Sequence, residues 1–397
     1  MSRILTDPAE KMEKCRMDEN QTFEQLWDYW QGLPILWEEL KKTRLPVYLY
    51  GMGDGAEKIH RAMEQFGIPL AGVFASDEYV RGHSFLGFQV RKLSQVEETE
   101  KDGFVILLAF GAFLPDLTEK IKGIAEKHRL YAPDTPVAGE NLFTLAFLNQ
   151  NRESFRRVYS LLADEKSRQV LKNVVAFKLT GEIHYLFDCE TSPREVYDSL
   201  IPLKGRKDVL VDLGGYDGDT VRSWITESEG QYDRILTLEP DAKNFKKMQK
   251  KLQGWDLSRV TCVNAAAHSQ RGKLVFALRG GRNSALLGTG GLSVRKTFEV
   301  DAMSVDDLLQ GQNAGLIKMD VEGNEAEAMK GAKKTIERTH PPLMISAYHR
   351  SEDLFALPLL TQQLAGGGYR FYLRHHPYIP AWETNYYALP EEKTENS

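Results

Sequence analysis

Apolar and polar positions change period along the 397-residue chain. Over residues 1 to 44, Phe23, Leu26, Trp27, Trp30, Leu36, Trp37 and Leu40 fall at mostly helical spacings broken at Gly32-Leu-Pro34, which predicts an N-terminal helical segment. Short apolar runs replace this pattern at Val47–Tyr50, Leu70–Phe74 and Phe104–Phe110, and each reads as a strand buried on both faces. Helices are expected after the first, to about Phe66, and over 116–129, so that 45–150 forms a small α/β unit. The stretch from 131 to 150 reads as a loop leading into helices. Helical periodicity returns over 151–180, with Phe155, Val158, Leu161, Leu162, Val170, Leu171, Val174 and Phe177 on the apolar side, and predicts a helical connector through 205. From 206 to 390 the pattern is strand, turn, helix again, with strands at Val209–Val211, Arg234–Leu238, Val260–Val263, Leu316–Met319 and Pro342–His349. Two further strands, Tyr369–Leu373 and Asn385–Ala388, close the unit, and the polar tail 391–397 is expected to be disordered.

The turns after the first strand of each unit differ. In the second unit, Val209 to Val211 run into Asp212, Gly214, Gly215 and Gly218 before a helix carrying Val221, Trp224 and Ile225. A dinucleotide loop needs G-x-G-x-x-G so that backbone N–H groups can cradle a pyrophosphate. Counted from Gly214, the second glycine falls on Tyr216, which would crowd a phosphate; what stands there is D-x-G-x-x-x-G. An acidic strand end beside a glycine turn suits a ligand with an ammonium-bearing tail and no phosphate, such as S-adenosyl-L-methionine. In the first unit, Gly51-Met-Gly53-Asp-Gly55-Ala56 matches G-x-G-x-x-A, with an acid at Asp77 about twenty residues on. Asp54 inside that loop would repel a phosphate. The loop serves either a nucleotide or a degenerate fold that positions a partner or substrate.

In an open parallel sheet, ligands sit at the carboxyl ends of the strands. Asp212, Glu239, Asn264, Asp320 and His349 all fall there, with Glu322 two residues past Asp320 and Gly323 allowing the turn. Glu239 can accept both hydroxyls of an adenosine ribose, and Asn264 with the small Ala265 leaves room for adenine. The glycine-rich stretch 279–293 reads equally as a mobile acceptor loop or a solvent hairpin, and Asp301–Leu309 as a capped helix.

Four motifs in this order carry a resemblance: Val-Asp-Leu-Gly-Gly-Tyr-Asp-Gly-Asp-Thr at 211–220, Leu-Glu-Pro-Asp at 238–241, Asn-Ala-Ala at 264–266 and Ile-Lys-Met-Asp-Val-Glu-Gly-Asn-Glu at 317–325. Over roughly 183–390 the chain resembles the FkbM family of S-adenosylmethionine-dependent methyltransferases. The resemblance implies the class I methyltransferase sheet, a Rossmann-like α/β arrangement of seven strands with the last antiparallel. It also implies O-methylation of a sugar, glycan or natural-product hydroxyl. Carried over by position, Asp212, Gly214 and Gly218 would hold the methionine part of the cofactor, with Gly215, Tyr216 and Thr220 in the same turn. Glu239 and Pro240 would border the ribose, Asn264 and Ala265 the adenine, and Asp320 and Glu322 would face the reaction. The fifth strand of the family often ends in an acid; here Ser346-Ala-Tyr-His349 stands instead. The first unit is similar to the Rossmann-like N-terminal domain of sugar-modifying acyltransferases.

Composition narrows the partners. A formal net charge of −5 leaves no electrostatic footprint for nucleic acid. Cys15, Cys189 and Cys262 lack metal-ligand spacing and suit a reducing compartment. No apolar run approaches membrane-spanning length and no signal-peptide pattern opens the chain, so a cytoplasmic protein with a small-molecule or glycan acceptor is expected. The N-terminal segment could also serve a homo-oligomer contact. A sugar hydroxyl gains from a general base, and the candidates are Asp320, Glu322 and His349. Asp320 could instead hold a divalent metal, but spacing offers it no second ligand, and no metal is expected. The rival readings are a nicotinamide-dependent oxidoreductase working through the Gly51 loop and a non-catalytic binding or scaffold protein.

Overall fold

The computed structural model describes residues 22–205, 207–278, 284–286 and 296–391. The helix expected before residue 22, most of the glycine-rich stretch 279–293 and the tail beyond 391 lie outside the described residues.

In the first half, β1 (Val47–Tyr50), β2 (Gly72–Ala75), β3 (Arg91–Lys92), β4 (Val105–Leu108) and β5 (Arg129–Tyr131) form a parallel sheet in the order β3-β2-β1-β4-β5. The three central strands are the expected apolar runs. The outer two are short and charged, Arg91-Lys92 and Arg129, so an apolar-run criterion passes over them; an edge strand tolerates such residues because one side is unpaired. Helices Asp54–Gln65 and Pro115–Ala125 cross over the sheet.

The second half builds a seven-stranded sheet from β6 (Val209–Leu213), β7 (Arg234–Leu238), β8 (Val260–Val263), β9 (Leu316–Met319), β10 (Leu343–Ser346), β11 (Tyr369–His375) and β12 (Thr384–Pro390). Their order is β8-β7-β6-β9-β10-β12-β11, and β12 alone runs antiparallel to its neighbours. This is the Rossmann-like order implied by the motifs. The strand order switches sides at β6, all of whose pairings are parallel, and such a switch point is where a crevice opens at the strand ends. A further small sheet pairs Ala266–Ala267, Lys296–Met303, Gly272–Leu278 and Ser284–Leu286. Its strand takes in Asp301 to Met303, so the helix expected from Asp301 starts only at Val305, where the Ser304 hydroxyl accepts from the Asp307 N–H.

The segment expected as a one-sided connector is central. After helix Arg152–Leu161, helix Glu165–Thr180 is buried on nearly every side, including Lys172, Asn173 and Lys178. Asp164 caps it through the Ser167 N–H at 2.8 Å and pairs with Arg374 of β11, Nη2 to Oδ2 at 2.6 Å. Lys178 pairs with the buried Asp134 at 2.9 Å. One hydrophobic cluster consequently runs from Phe23, Tyr48 and Ile106 through Phe177 to Ile317, Phe371 and Tyr386. The two sheets share this core. They also meet at their loops: Ala112 and Ile379 exchange backbone bonds of 2.7 and 2.8 Å, and the Ala138 N–H donates to the His349 carbonyl at 2.8 Å.

Candidate active site

The crevice begins with the glycine turn after β6. The N–H groups of Gly214 and Gly215 both donate to the Leu238 carbonyl, at 3.0 and 2.8 Å, folding the turn onto the end of β7. Gly214 has φ +94, and a Cβ there would sit 1.8 Å from the Asp320 carbonyl oxygen. Only glycine satisfies both conditions, so this residue brings the ends of β6 and β9 together. Tyr216 follows at φ +43, its ring partly exposed under the Lys247 ammonium. Its N–H donates to one oxygen of Glu239 at 2.8 Å, while the other oxygen accepts from the Asp241 N–H at 2.8 Å. Burial nevertheless pushes the Glu239 carboxyl up to about 7, more than these two N–H groups pull it down. The exposed Asn264 donates its side-chain amide to the carbonyls of Glu239 and Pro240, at 2.8 and 3.1 Å, tying the end of β8 to that of β7, with Ala265 buried beside it. Gly214, Gly215, Tyr216, Gly218, Glu239, Pro240, Asn264 and Ala265 thus gather at the ends of β6 to β8; Thr220 lies in the first turn of the helix that follows.

Asp212 lies behind this surface. Its side chain is fully buried, accepts the Thr237 hydroxyl at 3.0 Å and lies 3.4 Å from Lys318 Nζ. Burial pushes its carboxyl up to about 6, against the pull of Lys318. Lys318 pairs in register with Asp212 across β6 and β9, and its ammonium also stands 3.6 Å from Asp320. Burial opposes charge on the lysine, but the two aspartates outweigh it and hold its pKa above the ordinary value. Asp212 therefore reaches the crevice only through Lys318 and Asp320.

Asp320, at the end of β9, is pushed up by burial and down more strongly by Lys318 and His349, so its carboxyl stays below the usual range. The Tyr348 hydroxyl donates to it at 3.1 Å. Glu322 adopts φ +56 in the turn and keeps its side chain 37% exposed, and the surrounding protein pushes its carboxyl up. His349 is 1% exposed. Its Nε2 lies 3.5 Å from Asp320 Oδ1 and 3.8 Å from Glu322 Oε2, and its Nδ1 lies 2.9 Å from Glu325 Oε1, off the donor axis. Burial alone would lower its pKa; Glu325, Glu322 and Asp320 overcome that and push it up to about 10. Glu325 Oε1 also accepts the N–H groups of Val321 and Gly323, holding the turn that presents Glu322.

Residues 212–371 match the methyltransferase FkbM domain. This segment carries the FkbM methyltransferase domain. The structure of the FkbM methyltransferase from Methylobacillus flagellatus KT is similar over 92% of this chain and 98% of that one, with a TM-score of 0.69 at 21% identity, so the likeness of fold extends to the N-terminal sheet. An rRNA methylase from Streptococcus thermophilus is more distant, with a TM-score of 0.34 and 10% identity over 51% of this chain and 98% of that one. Fibrillarin from Aeropyrum pernix, solved with S-adenosyl-L-methionine, reaches a TM-score of 0.29 and 12% identity over 47% of this chain and 68% of that one. No curated protein matches the sequence.

Several residues of the crevice escaped the motif reading. Lys318 carried a signal, a lysine inside an otherwise apolar strand, which needs a buried partner to stay there. Glu325 stood within a motif but showed no partner until β10 brought His349 beside it. Tyr348 and Glu383 carried none; Glu383 is pushed up to about 7 by burial and the nearby Asp320. The first half contributes Lys58, whose ammonium accompanies the carbonyls of Pro136 and Val137 at 2.9 and 3.0 Å and draws the Glu322 carboxyl down. In the Gly51 loop, a Cβ on Gly51 would lie 2.5 Å from the Phe110 ring and one on Gly55 2.5 Å from the Ala109 carbonyl, while one on Gly53 would meet nothing within 4 Å.

Proposed function

We propose that the chain transfers a methyl group from S-adenosyl-L-methionine to an oxygen of a sugar or another hydroxylated acceptor. The observation that carries this reading is the convergence of the β6 and β9 ends at Gly214. The glycine turn, the Glu239 carboxylate and the Asp320–Glu322–His349 group then share one crevice. The residues present suit the cofactor: a turn that no side chain can fill, a carboxylate at the second strand end for a ribose diol, and acids near the expected sulfonium. When bound, S-adenosyl-L-methionine supplies an electrophilic methyl group.

The chain's part is alignment and proton removal. Asp320 is held ionised by Lys318 and oriented by Tyr348, so it can accept the acceptor's hydroxyl proton. Glu322, more exposed and harder to ionise, lies closer to where an acceptor enters. His349, set among the carboxylates of Asp320, Glu322 and Glu325, acts by positioning Asp320 and Glu322. On this proposal residues 45–150 serve the acceptor side through Lys58 and the segment from Asp134 to Asn141.

Calorimetric titration of the full chain with S-adenosyl-L-methionine and, separately, with NAD tests the reading. Binding of the first alone is expected. Binding of NAD alone would favour the oxidoreductase, and binding of neither a scaffold. Labelled methyl transfer to a panel of glycans and hydroxylated natural products then identifies the acceptor. Asp320→Asn should leave cofactor binding within a few-fold and lower turnover by at least about a hundredfold. Near-normal turnover would remove Asp320 as the base.

A further inference from the structure

We propose that Asp320, Glu322 and Nε2 of His349 form a binding site for one divalent cation of the magnesium–manganese class, with Glu325 orienting the imidazole from behind. The proposal rests on the methyl-transfer reading only for the use of the site, since the donor set stands on its own geometry. Asp320, Glu325 and His349 present potential ligand atoms that all lie within 4.8 Å of one another. The spacing from Nε2 is 3.5 Å to Asp320 Oδ1 and 3.8 Å to Glu322 Oε2. Those separations exceed ordinary hydrogen-bond lengths. Two ligands each about 2.1 Å from an ion stand roughly 3.0 Å apart at right angles and roughly 4.2 Å apart across it. Both spacings from Nε2 fall between these limits, which leaves room for an ion beside the nitrogen and each carboxylate.

Two further observations point to a ligand. Behind the ring, Glu325 Oε1 is 2.9 Å from Nδ1, off the donor axis, and also holds the N–H groups of Val321 and Gly323. A carboxylate behind a histidine in this way is the usual outer support of a metal ligand. The other Glu325 oxygen is buried with no hydrogen-bond partner, on a residue 1% exposed. Local charge agrees. Three carboxylates meet one imidazole, while Lys318 is shared with Asp212. Oxygen donors with one imidazole suit manganese at least as well as magnesium. Glu322 is the partly exposed ligand, so positions left open on the ion would face the acceptor and suit a pair of neighbouring oxygens, as in a vicinal diol.

The test titrates the full chain, stripped with EDTA and dialysed, with Mn2+ alone, followed by electron paramagnetic resonance and calorimetry. One saturable site per chain is expected. Glu322→Gln, on a partly exposed side chain that should not disturb folding, is expected to weaken Mn2+ about tenfold or more, as is His349→Asn. Glu325→Gln should weaken it by roughly ten- to a hundredfold while leaving all three ligands in place. Absence of a saturable site at millimolar Mn2+ would overturn the proposal and leave the His349 imidazolium as the cation of the cluster. So would a site that Glu322→Gln and His349→Asn leave unchanged in variants with wild-type circular dichroism. A parallel titration with S-adenosyl-L-methionine separates the two readings. Cofactor binding without Mn2+ binding sinks the metal site alone. Mn2+ binding without cofactor binding upholds the site and removes the methyl-transfer reading.

Discussion

Lys318→Met tests the charge arrangement beneath the crevice. The Lys318 ammonium lies 3.4 Å from Asp212 and 3.6 Å from Asp320. At 3.4 Å and an effective dielectric of about 20, the attraction to Asp212 is roughly 5 kcal/mol, and desolvating the ammonium offsets several kcal/mol of it. Removing the ammonium alone does not return that desolvation cost evenly. It strands Asp212, fully buried and left with only the Thr237 hydroxyl. The expected loss of stability is about 3–5 kcal/mol. It is limited by proton uptake, because the Asp212 carboxyl, already pushed up to about 6 with the lysine present, would rise further and be neutral at pH 7. A carboxyl whose folded pKa exceeds its unfolded value is stabilising at low pH, and that contribution fades as pH rises through the folded pKa. The penalty of Lys318→Met should therefore be smaller near pH 5 than near pH 8. Urea unfolding followed by circular dichroism at both pH values measures this. Lys318→Met combined with Asp212→Asn removes the stranded charge and should regain more than half of the loss. A single-variant cost below about 1 kcal/mol, or a double variant no more stable than the single, would refute the argument.

Other consequences are as direct. Glu239→Ala should lower S-adenosyl-L-methionine affinity by about tenfold to a hundredfold, because it removes the proposed ribose acceptor and frees the Tyr216 N–H from the turn; unchanged affinity in a folded variant would take Glu239 out of the site. A chain starting at Asn151 should fail to fold, shown by circular dichroism and aggregation, because it exposes the shared core and leaves Lys178 buried without Asp134; a monomeric, cooperatively melting product would contradict this. His375 is fully buried, with Nε2 unpaired, and burial pushes its pKa down to about 3. It stays neutral in the folded state while the unfolded chain takes up a proton below about pH 6.5, so it should cost up to about 1.4 kcal/mol per pH unit as pH falls from there toward 3. Urea titrations should show a shallower acid slope in His375→Asn than in the wild type; equal slopes would exclude this role.

Much of the second sheet was legible in the residues. Its central strands are short, mostly apolar runs, because a strand buried on both faces takes charge inside it only where a partner meets it, as Asp212 meets Lys318. The turn at Gly214 was legible for the same local reason: positive φ and a close approach of backbone select glycine. Local rules also bring errors where burial is set by distant segments. Helix Glu165–Thr180 has the polarity of a surface connector, yet it is enclosed, because Asp134 arrives from elsewhere to pair with Lys178, and Arg374 of β11 to pair with the capping Asp164. Strands β3 and β5 were hidden because edge strands need little apolar character. The site shows the division most clearly. Sequence alone placed Asp320, Glu322 and His349 at strand ends, since each strand end follows from its own run. Which of them touch, and which are charged, depends on residues brought together by pairing of β6, β9 and β10. That pairing buries Asp212 on Lys318 and turns the Glu325 carboxylate onto His349. Electrostatic energies vary with separation and burial, and neither quantity exists until the chain has folded.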